Sequence, residues 1–245
     1  TESLFILLAL GSLWAAKNGR FPLAGLLGLL AALTRLTGWV LVVPLTYEFF
    51  SRHPLSAIRQ PNSDNRSPIT DYRLPITAYG LRLAAIALPA AGSALFLALR
   101  WTLDLRPLDQ IYADYWFQTT GFPGQDVVTA VQTLFLDGAA RAGEFTLIFD
   151  FLTVIFLGAT TVWVWRRLGP TWGLYNGMLL LFILLPTSEL KPLYSFSRYA
   201  LAFVPSFLVL AEAGQRPWPN RLILYPSLAL YLWFSAQFFV WGWVA

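Results

Sequence analysis

The chain has 245 residues, of which 57% are hydrophobic and 12% charged, with a formal net charge of +4. A soluble globular domain carries about 25% charged residues, so this composition excludes one and points to an integral membrane protein. The modest positive charge forms no basic cluster, which excludes a nucleic-acid surface, and the absence of cysteine removes disulfides, thiolate metal sites and cysteine nucleophiles together.

Thr1-Glu2-Ser3 runs straight into an apolar stretch without the basic region that a signal peptide would carry, so the chain is expected to continue upstream of Thr1. Eight apolar segments follow: 4–16, 21–33, 39–50, 76–99, 145–165, 172–185, 199–211 and 222–244. They predict an all-α fold, a polytopic bundle of about eight transmembrane helices forming one membrane-embedded domain over 1–245. Several segments fall short of the roughly 20 residues that a straight span needs. Neighbouring helices or a thinned bilayer can cover such ends. The content of 11 Trp suits extensive membrane–water interfaces, where amphipathic rings collect.

Charge assigns the sides. Lys17 and Arg20, then Arg52, Arg59, Arg66 and Arg73, then Arg166 and Arg167, then Arg216 and Arg221 fall in alternate connections. The positive-inside rule places that set in the cytoplasm. Thr1, Arg35, the 102–144 stretch and the connection before Arg198 then lie outside. The 51–75 connection is rich in Pro, Asn, Ser and Asp and reads as a cytoplasmic loop without chemistry. Its His53, the only histidine, reads as solvated, and one imidazole cannot build a multi-histidine metal site.

The external 102–144 stretch carries Asp104, Asp109, Asp114, Asp126, Asp137 and Glu144. Ile111, Tyr112, Tyr115, Trp116 and Phe117 mix with Asp109 and Asp114 as in an interfacial helix. After Gly121-Phe122-Pro123-Gly124, apolar Val127, Val128, Val131, Leu134 and Phe135 recur at helical spacing. One or two short amphipathic helices on the outer membrane surface are expected, with Asp126 suiting the dipole at a helix start. These aspartates, particularly Asp104, Asp109 and Asp114, could include an acid that contacts a substrate, although a run of loop acids also reads as a solvated face.

Arg35 stands between two apolar runs, in Leu33-Thr34-Arg35-Leu36-Thr37-Gly38, and Arg198 stands in Ser195-Phe196-Ser197-Arg198-Tyr199. An arginine at the centre of a span costs about 2.5–3.5 kcal/mol, so such residues usually face a cavity, a partner or a polar ligand. Two cations at one membrane face would suit an anionic headgroup; snorkelling, or pairing with Glu2 or Glu189, is the structural alternative. Gly25 and Gly28 read as small residues that allow close helix packing. Asp150 and Glu212 lie in or beside apolar segments, Glu212 at the cytoplasmic interface.

Three stretches together resemble the polytopic GT-C glycosyltransferases, most of all the PIG-V family of GPI second mannosyltransferases and their prokaryotic homologues. They are Thr1-Glu2-Ser3-Leu4-Phe5, the glycine-rich run from Gly25 to Arg35 followed by Thr37-Gly38, and Ser197-Arg198-Tyr199 followed by Pro205. Leu36 stands where the family has proline, so a softer break is expected after Arg35. The family's external Trp-Asp loop, with its catalytic carboxylate, would lie before Thr1, making this chain the C-terminal portion of such an enzyme.

The resemblance implies transfer of a sugar, mannose in that family, from a polyprenyl-phosphate donor to a lipid-linked or glycan acceptor on the external side. Membrane lipid, donor and acceptor are then the partners, with room for a partner subunit. The location would be the plasma membrane of a prokaryote or the endoplasmic reticulum membrane of a eukaryote. No covalently bound cofactor and no metal ligand is assigned to this chain. The leaving phosphate calls for fixed cations, which a planar guanidinium supplies with bidentate geometry. Arg35 and Arg198 are the candidate phosphate contacts, Lys191 is near in sequence, Tyr199 would pack beside the site, and Glu2 would orient a sugar hydroxyl or hold Arg35. A transporter or lipid flippase, and a non-catalytic subunit of a glycosyltransferase complex, stay open as alternatives. No glycine-rich loop follows a strand, which disfavours a soluble nucleotide-sugar enzyme.

Overall fold

The computed structural model describes residues 2–52, 76–135, 145–188, 192–193 and 196–240. His53 and nearly all of the predicted 51–75 loop fall outside them, as do 136–144, Glu189 and Lys191. The described residues form eleven α-helices and one pair of two-residue strands, so the fold is all-α. Backbone packing divides the chain into two compact units, Thr1–Asp104 and Leu105–Ala245.

The first unit holds α1 (Glu2–Lys17), α2 (Phe21–Thr34), α3 (Val42–Arg52) and α4 (Ile76–Thr102). Their core includes Phe5, Leu13, Phe21, Leu41, Leu45 and Phe49, all essentially without solvent contact. Helix α2 opens with proline in its first turn and is built from Leu, Ala and Gly, residues that bring little χ1 restriction. Ser12 on α1 donates to the Ala24 carbonyl at 2.7 Å, so a buried hydroxyl finds its acceptor on the neighbouring helix.

Close approach of α2 and α4 depends on missing side chains. A Cβ on Gly25 would land on the Ala85 carbonyl, and one on Gly28 would sit 2.6 Å from Pro89 Cγ. From the other side, a Cβ on Gly92 would come within 2.7 Å of the Leu29 carbonyl oxygen. The packing role expected of Gly25 and Gly28 is thus present. Gly28→Leu is expected to destabilise this unit by about 1–3 kcal/mol, as overpacked cores do. A fall in the thermal midpoint of detergent-purified protein would register it, and an unchanged midpoint would mean that the helices separate freely.

The second unit holds α5 (Leu108–Trp116), β1 (Thr119–Thr120), α6 (Gln125–Phe135), α7 (Phe145–Leu168), α8 (Pro170–Ile183), β2 (Pro186–Thr187), α9 (Phe196–Tyr199), α10 (Val204–Ala213) and α11 (Pro217–Phe239). The two helices α5 and α6 occupy the stretch in which short amphipathic helices are predicted. On α6 only Asp126 and Ala130 are buried, while Val128, Val131 and Phe135 stay exposed. Gly169, with φ of +95°, reverses the chain between α7 and α8. Three buried polar residues tie α7, α8 and α10 together: Ser206 Oγ accepts from Asn176 Nδ2 at 2.8 Å and from Thr160 Oγ1 at 2.9 Å.

Among the described residues, three helices are long and apolar enough to cross a membrane: Tyr79–Thr102, Thr146–Leu168 and Pro217–Phe239. The pair Phe196–Ala202 and Val204–Ala213, bent by 79°, would make a fourth if counted as one broken span. The other predicted segments form helices too short to be counted on length alone. Helix α2, with 14 residues, is about 21 Å long at 1.5 Å per residue, against a hydrocarbon core of roughly 30 Å. No residue of the spanning segment of α11 is fully buried within the protein, which suits a helix facing lipid.

Candidate functional site

In the first unit, α2 ends at Thr34 and Arg35 is extended, with φ of −147° and ψ of 134°. The chain then turns through the 3-10 helix Leu36–Leu41 and enters α3. With Leu36 rather than proline after Arg35, the helix nonetheless ends fully, where a softer break was expected. Gly38 closes it instead: its amide donates to the Arg35 carbonyl at 2.9 Å, and a Cβ there would collide with the backbone of Ala32. Ser93 on α4 adds a donor to the Leu36 carbonyl at 3.3 Å.

The break presents Arg35 to Glu2 at the start of α1, with Arg35 Nη1 3.1 Å from Glu2 Oε1. Their side chains are 21% and 31% exposed, so the pair is neither sealed in the core nor freely solvated. Of the predicted site residues, the structure therefore joins Glu2 and Arg35. This pairing is the structural alternative foreseen for Arg35 and also the positioning role foreseen for Glu2.

In the second unit, Arg198 and Tyr199 lie on the single turn of α9, with the Arg198 guanidinium 5.8 Å from the centre of the Tyr199 ring. Arg198 is exposed and Tyr199 half-buried. Lys191 lies outside the described residues. Asp104, Asp109 and Asp114 are all exposed, and Asp114 is paired loosely with Arg106 at 3.8 Å. Glu212 faces Arg167 at 3.6 Å, both well exposed.

Two acids that sequence reasoning gave no site role hold the segment around α9. Asp126, buried at the first turn of α6, accepts the backbone N–H of Ser188 at 2.9 Å and that of Leu193 at 3.0 Å, one on each carboxylate oxygen. Asp150, buried in α7, accepts the N–H of Ser197 at 2.7 Å, immediately before Arg198. Tyr175 on α8 donates to the Ala202 carbonyl at 3.0 Å, which covers a backbone group at the bend between α9 and α10. A carboxylate inside an apolar run was the available signal for Asp150, since acids in such positions are rarely idle. Burial pushes the Asp126 carboxyl above the usual aspartate range, partly offset by its two amide donors.

A cleft of about 340 Å³ opens beside Asp126, lined by Ala113, Phe117, Thr119, Gln125, Asp126, Thr129, Thr187 and Ser188. Strands β1 and β2 form one of its walls, pairing antiparallel with Thr119 opposite Thr187. No group of three or more His, Cys, Asp or Glu that could hold a metal occurs among the described residues. No family model, curated protein or solved structure matches the chain.

Proposed function

We propose that this chain is the membrane-embedded C-terminal portion of a GT-C-type glycosyltransferase of about eight spans. It would transfer a hexose, mannose by its resemblance to the PIG-V family, from a polyprenyl-phosphate donor to a lipid-linked or glycan acceptor on the external side. The observation that carries the reading is Arg35: a guanidinium at a complete helix break, held by Glu2 and flanked by the Gly-rich and Thr-Gly stretches of the family's pattern. A fixed cation at such a break can stabilise the polyprenyl phosphate as the glycosidic bond to it cleaves. Arg198, on a turn fastened by Asp150, is a second candidate phosphate contact, with Tyr199 beside it.

Full-length protein reconstituted into liposomes with polyprenyl-phosphate mannose and a lipid-linked acceptor is expected to release polyprenyl phosphate in step with glycosylated acceptor. Absence of both products across a series of polyprenyl-phosphate hexoses, together with movement of the intact donor between leaflets, would replace this reading with the flippase one.

A further inference from the structure

The cleft beside Asp126 differs in chemical character from the cationic break at Arg35. Its lining contains four hydroxyl residues (Thr119, Thr129, Thr187 and Ser188), the Gln125 amide and the Asp126 carboxylate, with Phe117 and Ala113 as the apolar members. Neither lysine nor arginine lines it among the described residues, and the Asp126 carboxylate would itself repel a phosphate or carboxylate ligand. At 340 Å³ it lies near the small end of the range of about 300–1,000 Å³ typical of small-molecule sites.

The threonine hydroxyls are only loosely committed. Thr119 Oγ1 and Thr187 Oγ1 are 3.3 Å apart, and Thr129 Oγ1 reaches the Gln125 carbonyl at 3.3 Å. Hydroxyl bonds usually lie at about 2.5–3.0 Å, so these groups can turn to a ligand with little loss. Asp126 is different: its amide donors from Ser188 and Leu193 fix the carboxylate, yet each oxygen keeps a further lone pair for a hydroxyl. Phe117 stands in the left-handed region at φ of 52°, where a bulky residue is strained and glycine is usual, and its side chain is 58% exposed beside the cleft. An aromatic face next to convergent hydroxyls, an amide and a carboxylate complements a molecule with an apolar C–H face and a rim of hydroxyls.

We infer that this cleft binds a neutral sugar unit, with Asp126, Gln125 and the threonines taking its hydroxyls and Phe117 covering one face. Identification of that sugar as a substrate rests on the glycosyltransferase reading; binding itself does not. The sugar could belong to the acceptor glycan or be the hexose of the donor.

Saturation-transfer NMR on the full-length protein in nanodiscs, with methyl α-mannopyranoside as probe and cyclohexanol as an apolar control, tests the site. The glycoside should bind saturably and cyclohexanol should not. Ala113→Trp, which fills the cleft without removing a hydrogen bond, and Thr129→Val, which keeps the side-chain shape, should each weaken glycoside binding by about tenfold or more. No saturable binding to the wild type, or equal binding to the Ala113→Trp protein, overturns the inference. In the transfer assay, a raised acceptor KM in Ala113→Trp marks an acceptor site and a raised donor KM marks the donor's hexose. Transfer with both constants unchanged removes the substrate role of the site and leaves the glycosyltransferase reading standing. Glycoside binding without any transfer does the reverse.

Discussion

Arg35→Ala in the full-length protein is expected to lower sugar transfer by about a hundredfold or more while leaving the amount of folded protein nearly unchanged. Loss of one donor to a developing oxyanion typically removes a factor of about 10²–10³ in kcat. The folding contribution of the same side chain is much smaller. Its ion pair with Glu2 spans 3.1 Å between side chains that are 21% and 31% exposed; exposed pairs contribute about 0–1 kcal/mol, and a partly exposed one somewhat more. Catalysis and stability therefore separate.

The exchange of partners, Glu2→Arg with Arg35→Glu, sharpens the separation. It restores the opposite charges across the helix break but turns the cation at position 35 into an anion. If Arg35 serves only to hold α1 against the break, the exchanged protein regains both stability and transfer. If Arg35 contacts phosphate, stability returns and transfer does not. Arg35→Lys should fall between, because an ammonium keeps the charge and loses the bidentate fork. Midpoints of thermal unfolding and initial transfer rates, measured on the same preparations, decide between these outcomes.

The helical character of this chain is legible in its composition, because long apolar runs with few breakers can satisfy their backbone only internally in a membrane. The number of spans is less so. Runs such as that of α2 are apolar enough for a membrane and too short to cross one alone, and only packing against neighbours determines what they do. The break at Arg35 is legible in the Arg-Leu-Thr-Gly stretch, but the missing proline pointed to a weaker one. Gly38 compensates because its bare Cα lets the 3-10 turn lie against Ala32. That contact is tertiary, and no local pattern announces it. The roles of Asp126 and Asp150 are hidden for the same reason. Asp126 meets amides 62 and 67 residues away and Asp150 one 47 residues away, so a sequence shows the acid without its donors.

Asp126→Ala should release the segment that those amides anchor. The carboxylate is the acceptor of both Ser188 and Leu193 N–H groups, and leaving a buried donor without an acceptor costs about 1–3 kcal/mol per group. Two such losses would dominate the local stability of β2 and of the chain leading to α9. Hydrogen exchange should show the Ser188 and Leu193 amides losing protection together, while amides in the middle of α7 keep theirs. Equal protection in both proteins would mean that Asp126 is replaceable at this junction, by water or by another acceptor. The pH response has a definite sign. Burial raises the folded-state value of Asp126 above the ordinary 3.8, so between 3.8 and that raised value the folded protein holds a proton that the unfolded chain releases. Stability from this group is therefore full below 3.8 and declines as pH rises through the raised value. Asp126→Asn cannot titrate. The difference in thermal midpoint between Asp126→Asn and wild type should consequently move in the mutant's favour as pH increases across that window and level off above it. A difference that stays constant over the same range would mean that the two amide donors hold the carboxylate at its ordinary value, with burial fully offset.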